Sequence, residues 1–204
     1  MRIIPKKAKA MLSFISTDTT QPSLTGMFLS GNRIIATDGH ALVEMPLDGE
    51  DCTSPEDYPQ VDIATSDDNR DVIIPAAALK KAFANIPKGG YLPSLQNIAV
   101  VSGENNKNVN QVELITTDLD VQDSVKVPPI DAQYPDSDRV YPAKDATGIR
   151  IKVDATFLAK LKDLSAGDDV NGVILTIHDA KSALEFETNG FKGLIMPLRM
   201  DARE

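Results

Sequence analysis

One short phrase occurs twice in this chain, in matching register. Thr37-Asp38-Gly39 is followed by Met45-Pro46-Leu47, and Thr188-Asn189-Gly190 is followed by Met196-Pro197-Leu198, so that Thr188 stands 151 residues after Thr37 and Met196 stands 151 residues after Met45. Internal repetition limits the available folds more than composition does. A duplicated unit has to fold the same way each time and bury its apolar face against a neighbour.

The chain contains material for a third copy. Each copy opens with a short β-branched segment followed by apolar residues at helical spacing. The first is Arg2-Ile3-Ile4, then Ala8, Met11, Leu12 and Ile15; the second is Val72-Ile73-Ile74, then Leu79, Ala82, Phe83 and Ile86; the third is Ile149 to Val153, then Phe157, Leu158, Leu161 and Leu164. This spacing predicts helices that bury one stripe. Pro5 and Pro75 stand where a first helical turn accepts proline, and Asp154 is a candidate N-cap. Strands are expected over Leu24 to Ser30 and Arg33 to Ala36, around a Gly31-Asn32 turn. Further strands are expected over Ile98 to Ser102 and Gln111 to Thr116, flanking the polar run Gly103 to Asn108, and over Val173 to Ile177 and Ser182 to Glu187, flanking Asp179-Ala180. The middle copy carries Thr117-Asp118, with Leu119 in place of the glycine. The stretches 48–70 and 128–145 read as surface loops or linkers.

These elements make an α+β chain of repeated helix-plus-antiparallel-sheet units, divided as 1–142 (two units) and 143–204 (one unit). A helix–sheet unit has a half-covered sheet and an open edge, so units stabilise one another in pairs. Three units make one pair and one orphan. The orphan either docks within the chain or completes its sheet with another chain.

Composition removes several functional classes. With 204 residues the chain can bury a sizeable core, and the lone Cys52 and two histidines exclude an internal disulfide and a Cys/His metal cluster. The sequence shows no signal-peptide pattern and no apolar run of membrane-spanning length, so a cytoplasmic protein is expected. His40 lies close to Asp38, but no nucleophile motif or third group accompanies them. Asp118, Asp120 and Asp123 have metal-like spacing but lack the glycine and terminal glutamate of a calcium loop. No phosphate-binding glycine loop is present. The expectation is a non-catalytic protein without cofactor or metal.

The net charge of −9 is unevenly distributed. No acidic residue occurs from Ile4 to Ser16 or from Ile74 to Ile86, and these helices carry Lys6, Lys7, Lys9, Lys80 and Lys81. The third helix carries Lys160 and Lys162, diluted by Asp163. Lysine also serves on any solvated helix face. Basic helical faces on an acidic chain would nevertheless suit a surface that tracks a phosphate backbone.

Three motifs, in order, carry a resemblance to a known family. Ile34-Ile35-Ala36-Thr37-Asp38-Gly39-His40-Ala41-Leu42 resembles the signature of the middle domain of the bacterial DNA polymerase III beta subunit, the beta sliding clamp. Tyr134-Pro135-Asp136-Ser137-Asp138-Arg139-Val140-Tyr141-Pro142 resembles the segment that closes that domain, and Leu194-Ile195-Met196-Pro197-Leu198-Arg199-Met200 resembles the clamp's C-terminus. The resemblance implies the DNA-clamp fold, with helices lining a ring of twelve units around duplex DNA. It covers a middle domain and the second half of a last domain; a first domain has no counterpart. Three units per chain would permit a homo-oligomer of four.

The resemblance also implies a pocket for linear motifs of polymerase or repair proteins. Its matched positions are Leu24, Thr37, Gly39, His40, Leu42, Pro135, Arg139, Val140, Leu194, Met196, Pro197, Leu198, Arg199 and Met200. Adaptable Met and Leu side chains suit an apolar peptide anchor. Ala41 stands where the family commonly has arginine, and Asp201 to Glu204 extend past the usual end. Two functions are expected on this basis. One is a processivity factor that encircles DNA and tethers partners. The other is a reduced clamp that binds such peptides without encircling DNA, as a competitor or adaptor.

Overall fold

The computed structural model describes residues 1–48, 54–59, 70–87, 92–105, 108–140, 148–165 and 172–200. The chain divides into two compact units, Met1–Val140 and Tyr141–Glu204.

Unit 1 is built from two halves that exchange their leading strands. The first half supplies β1 (Arg2–Pro5), a 3-10 helix (Lys6–Phe14), β2 (Gly26–Ser30), β3 (Arg33–Thr37) and β4 (Leu42–Pro46). The second half supplies β5 (Val72–Pro75), α1 (Ala76–Asn85), β6 (Asn97–Asn105), β7 (Asn108–Thr117) and β8 (Gln122–Val127). The sheets run β4-β3-β2-β5 and β1-β6-β7-β8, all antiparallel, so each half's first strand completes the other half's sheet. Arg2, itself buried, crosses this junction and donates from Nη1 to the Leu29 carbonyl at 3.3 Å and from Nη2 to the Arg70 carbonyl at 2.8 Å. Neither half has a closed core alone. One cluster joins Ile4, Ala8 and Met11 to Met27, Leu29 and Ile34 of the first half and to Ile74, Leu79, Phe83, Ile98 and Leu114 of the second.

Pro5 and Pro75 end their strands and sit at the helix caps, in extended conformation with φ of −72° and −58°. A proline at this boundary forfeits no helical hydrogen bond. The first helix is wound as a 3-10 helix, and its buried residues, Ala8 and Met11, are accordingly three apart. The polar run Gly103 to Asn108 is shorter as a loop than expected, because the hairpin continues to the pair Asn105–Asn108. Leu24 lies in a short 3-10 turn (Pro22–Leu24) instead of the following strand.

The two stretches expected to be plain surface linkers include side chains that cover the outer faces of the sheets. Tyr58 is buried against Ile3, Ala99, Val101 and Ile115, and its hydroxyl donates to the Ile115 carbonyl at 3.1 Å. Tyr134 is buried on the other sheet against Ile35 and Ile73 and stacks on Phe28 with ring centroids 4.5 Å apart. Burial raises both phenol pKa values to about 12.

The repeat that governs unit 1 is the one between its own halves. Thr37 Oγ1 accepts from the Gly39 amide and donates to the Ala41 carbonyl, while Asp38 Oδ1 accepts from the amides of His40 and Ala41. Thr117 and Asp118 make the same four bonds with Leu119, Asp120 and Val121. The third copy departs from this pattern. Thr37 pairs with Leu42, but Thr188 pairs directly with Phe191 across a two-residue turn in which Asn189 and Gly190 have φ of 43° and 78°. Met45 therefore lies inside β4, opposite Ile34, whereas Met196 comes after the last strand. The equal spacing of the phrase does not translate into equal places in the fold.

Leu119 holds φ at 83°, where Gly39 has 91°. A side chain in this left-handed region costs about 1–2 kcal/mol. Leu119→Gly is expected to stabilise unit 1 by roughly 1 kcal/mol. Urea unfolding followed by tyrosine fluorescence reads this, since Tyr58 and Tyr134 are both buried in that unit. An unchanged or lower midpoint would show the turn unstrained.

Unit 2 contains α2 (Ala155–Leu164), β9 (Ile174–Thr176), β10 (Leu184–Thr188) and β11 (Phe191–Ile195), with sheet order β11-β10-β9. Asp154 caps α2, its carboxylate accepting from the Thr156 amide at 2.8 Å. Leu161, Leu184 and Ile195 form the buried cluster, with Ile151, Val153, Leu164, Val173 and Phe186 partly buried around it. The segment Ile149 to Val153 is not the expected strand. Among the described residues its sheet pairing is one bridge, Lys152 to Leu198. Among the described residues, unit 2 has no counterpart of the opposite half, which in unit 1 supplies the facing strand β2.

Candidate functional site

The matched positions of unit 1 gather at the Thr37–Leu42 turn and along the segment Tyr134–Val140. Gly39 supplies the left-handed φ, and a Cβ there would approach Leu24 Cδ1 at 3.8 Å, so the turn lies over Leu24. The two amides that Asp38 accepts, Ala41's first and His40's second, hold its carboxyl below the usual range. Leu24 and Thr37 are themselves buried and support the turn from below, while His40 is exposed and Leu42 is half-buried. Leu42 packs in the same cluster as Tyr134, which brings the turn and the segment together.

The segment is fixed at both ends. Tyr134 stacks on Phe28, and Arg33 grips Asp138 through two parallel bonds, Nη1 to Oδ1 at 2.8 Å and Nη2 to Oδ2 at 3.0 Å. This fork depresses the Asp138 pKa. Asp136 caps the short 3-10 turn Ser137–Arg139 by accepting from the Asp138 amide, and it pairs with Arg139 Nε at 2.8 Å. With its neighbours anchored, the segment leaves Pro135, Arg139 and Val140 exposed, Val140 at 69%. Neither Arg33 nor Tyr134 was among the expected site residues. An aromatic within a Pro- and Asp-rich stretch was the available signal for Tyr134; the Arg33–Asp138 pairing spans 105 positions and has no local signature.

In unit 2, Leu194 belongs to β11 and Met196 to Met200 come after it. Leu194, Met196 and Leu198 are exposed at 65%, 70% and 48%. The Leu198 amide donates to the Lys152 carbonyl at 2.7 Å, placing this end beside a shallow groove lined by Ile149, Arg150, Ile151, Lys152 and Met200. Arg199 is exposed and Pro197 half-buried. Asp201 to Glu204 lie outside the described residues.

The lysines expected to meet phosphate are all solvent-facing. Lys6, Lys7 and Lys9 project from the first helix and Lys80 and Lys81 from α1, and these two helices pack against each other. Their buried sides carry Ala8 and Met11, and Ala78, Leu79, Ala82 and Phe83. Lys6 Nζ also donates to Gln96 Oε1 at 2.6 Å. Lys160 and Lys162 are exposed on α2, Lys160 over the Phe157 ring at 4.9 Å.

Three of the aspartates, Asp38, Asp118 and Asp179, are engaged in local structure. Asp38 and Asp118 each hold two turn amides, and Asp179 accepts from the Ser182 hydroxyl and from the Lys181 and Ser182 amides, which lowers its pKa to about 2. His178 Nε2 lies 3.1 Å from Glu185 on the exposed surface. Among the described residues no group of three or more His, Cys, Asp or Glu is placed to hold a metal ion, and no helix is long and apolar enough to cross a membrane.

No family model matches the sequence, and no curated protein matches it. Solved structures do match. The DNA polymerase III beta chain of Streptococcus pneumoniae TIGR4 shares 20% identity at a TM-score of 0.63, over 97% of this chain and 49% of its own. The DNA polymerase sliding clamp of Bacillus subtilis gives 21% and 0.61, over 96% of this chain and 48% of its own. The Helicobacter pylori beta clamp, solved bound to a DNA ligase peptide, gives 14% and 0.60, over 95% of this chain and 46% of its own. The fold is that of the beta sliding clamps, and the chain spans about half the length of these neighbours.

Proposed function

We propose that the chain is a shortened sliding clamp, a non-catalytic processivity factor that assembles around duplex DNA and captures linear peptide motifs of polymerase or repair proteins. The observation that carries this reading is the paired helical face of unit 1, five lysines on two adjacent helices without an acidic residue, on a clamp fold that accounts for almost the whole chain. The carboxylate two positions before His40, that of Asp38, already holds its own turn, which supports a binding role over acid–base chemistry. Phosphate contacts from such a face would give sequence-independent, salt-sensitive binding.

Each unit by itself presents matched residues suited to peptide capture. The exposed His40, Pro135, Arg139 and Val140 offer a polar and apolar edge in unit 1, and the exposed Met196 and Leu198 with the half-buried Met200 offer apolar anchors in unit 2. Titration of a Gln-Leu-Leu-Phe-type peptide tests this. Arg139→Ala with Val140→Ala, and separately Met196→Ala, are each expected to weaken binding by roughly thirtyfold, the equivalent of about 2 kcal/mol at an interface anchor. These side chains are exposed, so the fold survives the substitutions. Equal affinity in all variants would overturn the site.

The exposure of Val140, Met196 and Leu198 also supports a second reading, a reduced clamp that binds such peptides without encircling DNA. Retention on circular DNA that is lost on linearising it supports encirclement; indifference to the DNA ends supports the reduced clamp.

A further inference from the structure

Unit 2 repeats one half of unit 1 closely enough to show which surface it lacks. Ile73 and Lys152 each stand two residues before a helix cap, Pro75 and Asp154. The Ile73 carbonyl accepts from the Ile130 amide at 2.9 Å, and the Lys152 carbonyl accepts from the Leu198 amide at 2.7 Å. The donors come from equivalent places, since Ile130 and Leu198 each come after the last strand of their half, β8 and β11. The leading segment Ile149 to Val153 thus occupies the place of β5, with one edge bridged by the following chain. In unit 1 the other edge of β5 is taken by β2, the first strand after the helix of the opposite half. Among the described residues the corresponding strand of unit 2, β9, ends its sheet, and it is exposed throughout.

We propose that two copies of this chain pair through unit 2 by reciprocal strand exchange, the segment Ile149 to Val153 of each adding antiparallel to β9 of the other. Such a contact is self-complementary and closes on itself about a two-fold axis. Ile151 takes the place of Val72, three residues before its cap. Leu175 lies opposite the core-side Phe186 as Leu29 lies opposite the core-side Ile34, so in the pair Ile151 faces Leu175 as Val72 faces Leu29. Alternation then puts Ile149, Ile151 and Val153 on the core side and Arg150 and Lys152 on the outer side. The sheet they join carries Glu185 and Glu187 outward, opposite Thr176 and Ile174. A basic strand is added to an acidic sheet face.

The helices report the same missing half. Phe157 and Leu158 are exposed at 48% and 37%, three and four residues after their cap. The residues at those places in α1, Ala78 and Leu79, are buried, as is Ala8 of the neighbouring helix. In unit 1 the two helices cover each other; in the pair, each α2 covers the other. The pair then holds three complete two-half domains, one of them shared. This inference stands on topology and does not depend on DNA or peptide binding.

The test uses disulfide trapping in the full chain with Cys52→Ser as background. Arg150→Cys and Thr176→Cys are made in separate chains. Opposite positions at a non-hydrogen-bonded pair bring Cα atoms to about 4.5 Å, within disulfide reach. The mixture is expected to give a covalent dimer on mild oxidation, and each variant alone is not. Light scattering of the unmodified chain should give at least twice the chain mass at micromolar concentration. Ile174→Lys, an exposed outer-face change beside the incoming Arg150 and Lys152, should weaken the pair by roughly a hundredfold through like-charge repulsion. A monomer mass, no mixed disulfide, or a dimer indifferent to Ile174→Lys would each overturn the proposal. Peptide titration on the same samples separates this outcome from failure of the clamp reading.

Discussion

Reversal of Lys6, Lys7, Lys80 and Lys81 to glutamate is expected to abolish salt-sensitive retention on duplex DNA. Each phosphate contact contributes about −0.9 to the slope of log affinity against log salt, so four contacts give about −3.6, roughly a hundredfold across a fourfold change in salt. Reversal turns each attraction into a repulsion and removes that slope entirely. All four side chains are exposed, with Ala8, Ala78, Leu79 and Ala82 beneath them in the core, so the helices keep their packing. Lys6 also holds Gln96, and Lys6→Glu gives up that bond. A companion variant reversing Lys80 and Lys81 alone therefore separates charge from local structure. Filter or bead retention at two salt concentrations measures the effect. An unchanged slope in both variants would show that this face does not meet phosphate.

Gly26→Ala is expected to cost about 3 kcal/mol or more, at the upper end of overpacking in a filled core. A Cβ on Gly26 would fall on the carbonyl oxygen of Ile74 and close to Ile73 Cγ2. Backbone cannot give way there without parting β2 from β5, the pairing that locks the two halves of unit 1 together. Gly148→Ala is the matched control, since a Cβ there meets nothing within 4 Å. Urea unfolding followed by tyrosine fluorescence should show a large drop in midpoint for the first variant and none for the second. Equal midpoints would mean that the β2–β5 contact is looser than the structure has it.

The helix–sheet character and the number of repeat halves were legible in sequence because both depend on local periodicity. Ala78, Leu79, Ala82 and Phe83 recur on one face, and the runs around Ile34 and Leu114 are β-branched and bounded by turn residues. The clamp fold was legible through three short motifs. The Thr37 turn was legible as a motif, and its twin at Thr117 was recognised despite Leu119. The candidate site was read as a set of positions, but which of them are exposed and which support from beneath was hidden. Leu24 and Thr37 look no different in sequence from Leu42 and Val140, yet the first two are buried and Val140 is largely exposed.

The equal spacing of the two Met-Pro-Leu phrases misled, because a four-residue turn after Thr37 and a two-residue turn after Thr188 send the two phrases to different places. The stretches read as linkers misled for another reason. Tyr58 and Tyr134 sit among polar residues, and nothing local says that an aromatic will lie flat on a sheet formed by distant strands.

Sequence alone determined most of the elements: two proline-led helices free of acid, a third capped by Asp154, and the first two strands that come after each. Only the tertiary structure decided how they are shared. Strand exchange between halves is a non-local choice, made by hydrogen bonds that any extended backbone can offer and by burial that depends on what lies across the sheet. Val72 and Ile151 are similar residues at the same distance from their helix caps. One gains a partner strand within its own chain and the other, within the described residues, has a single bridged neighbour beside it.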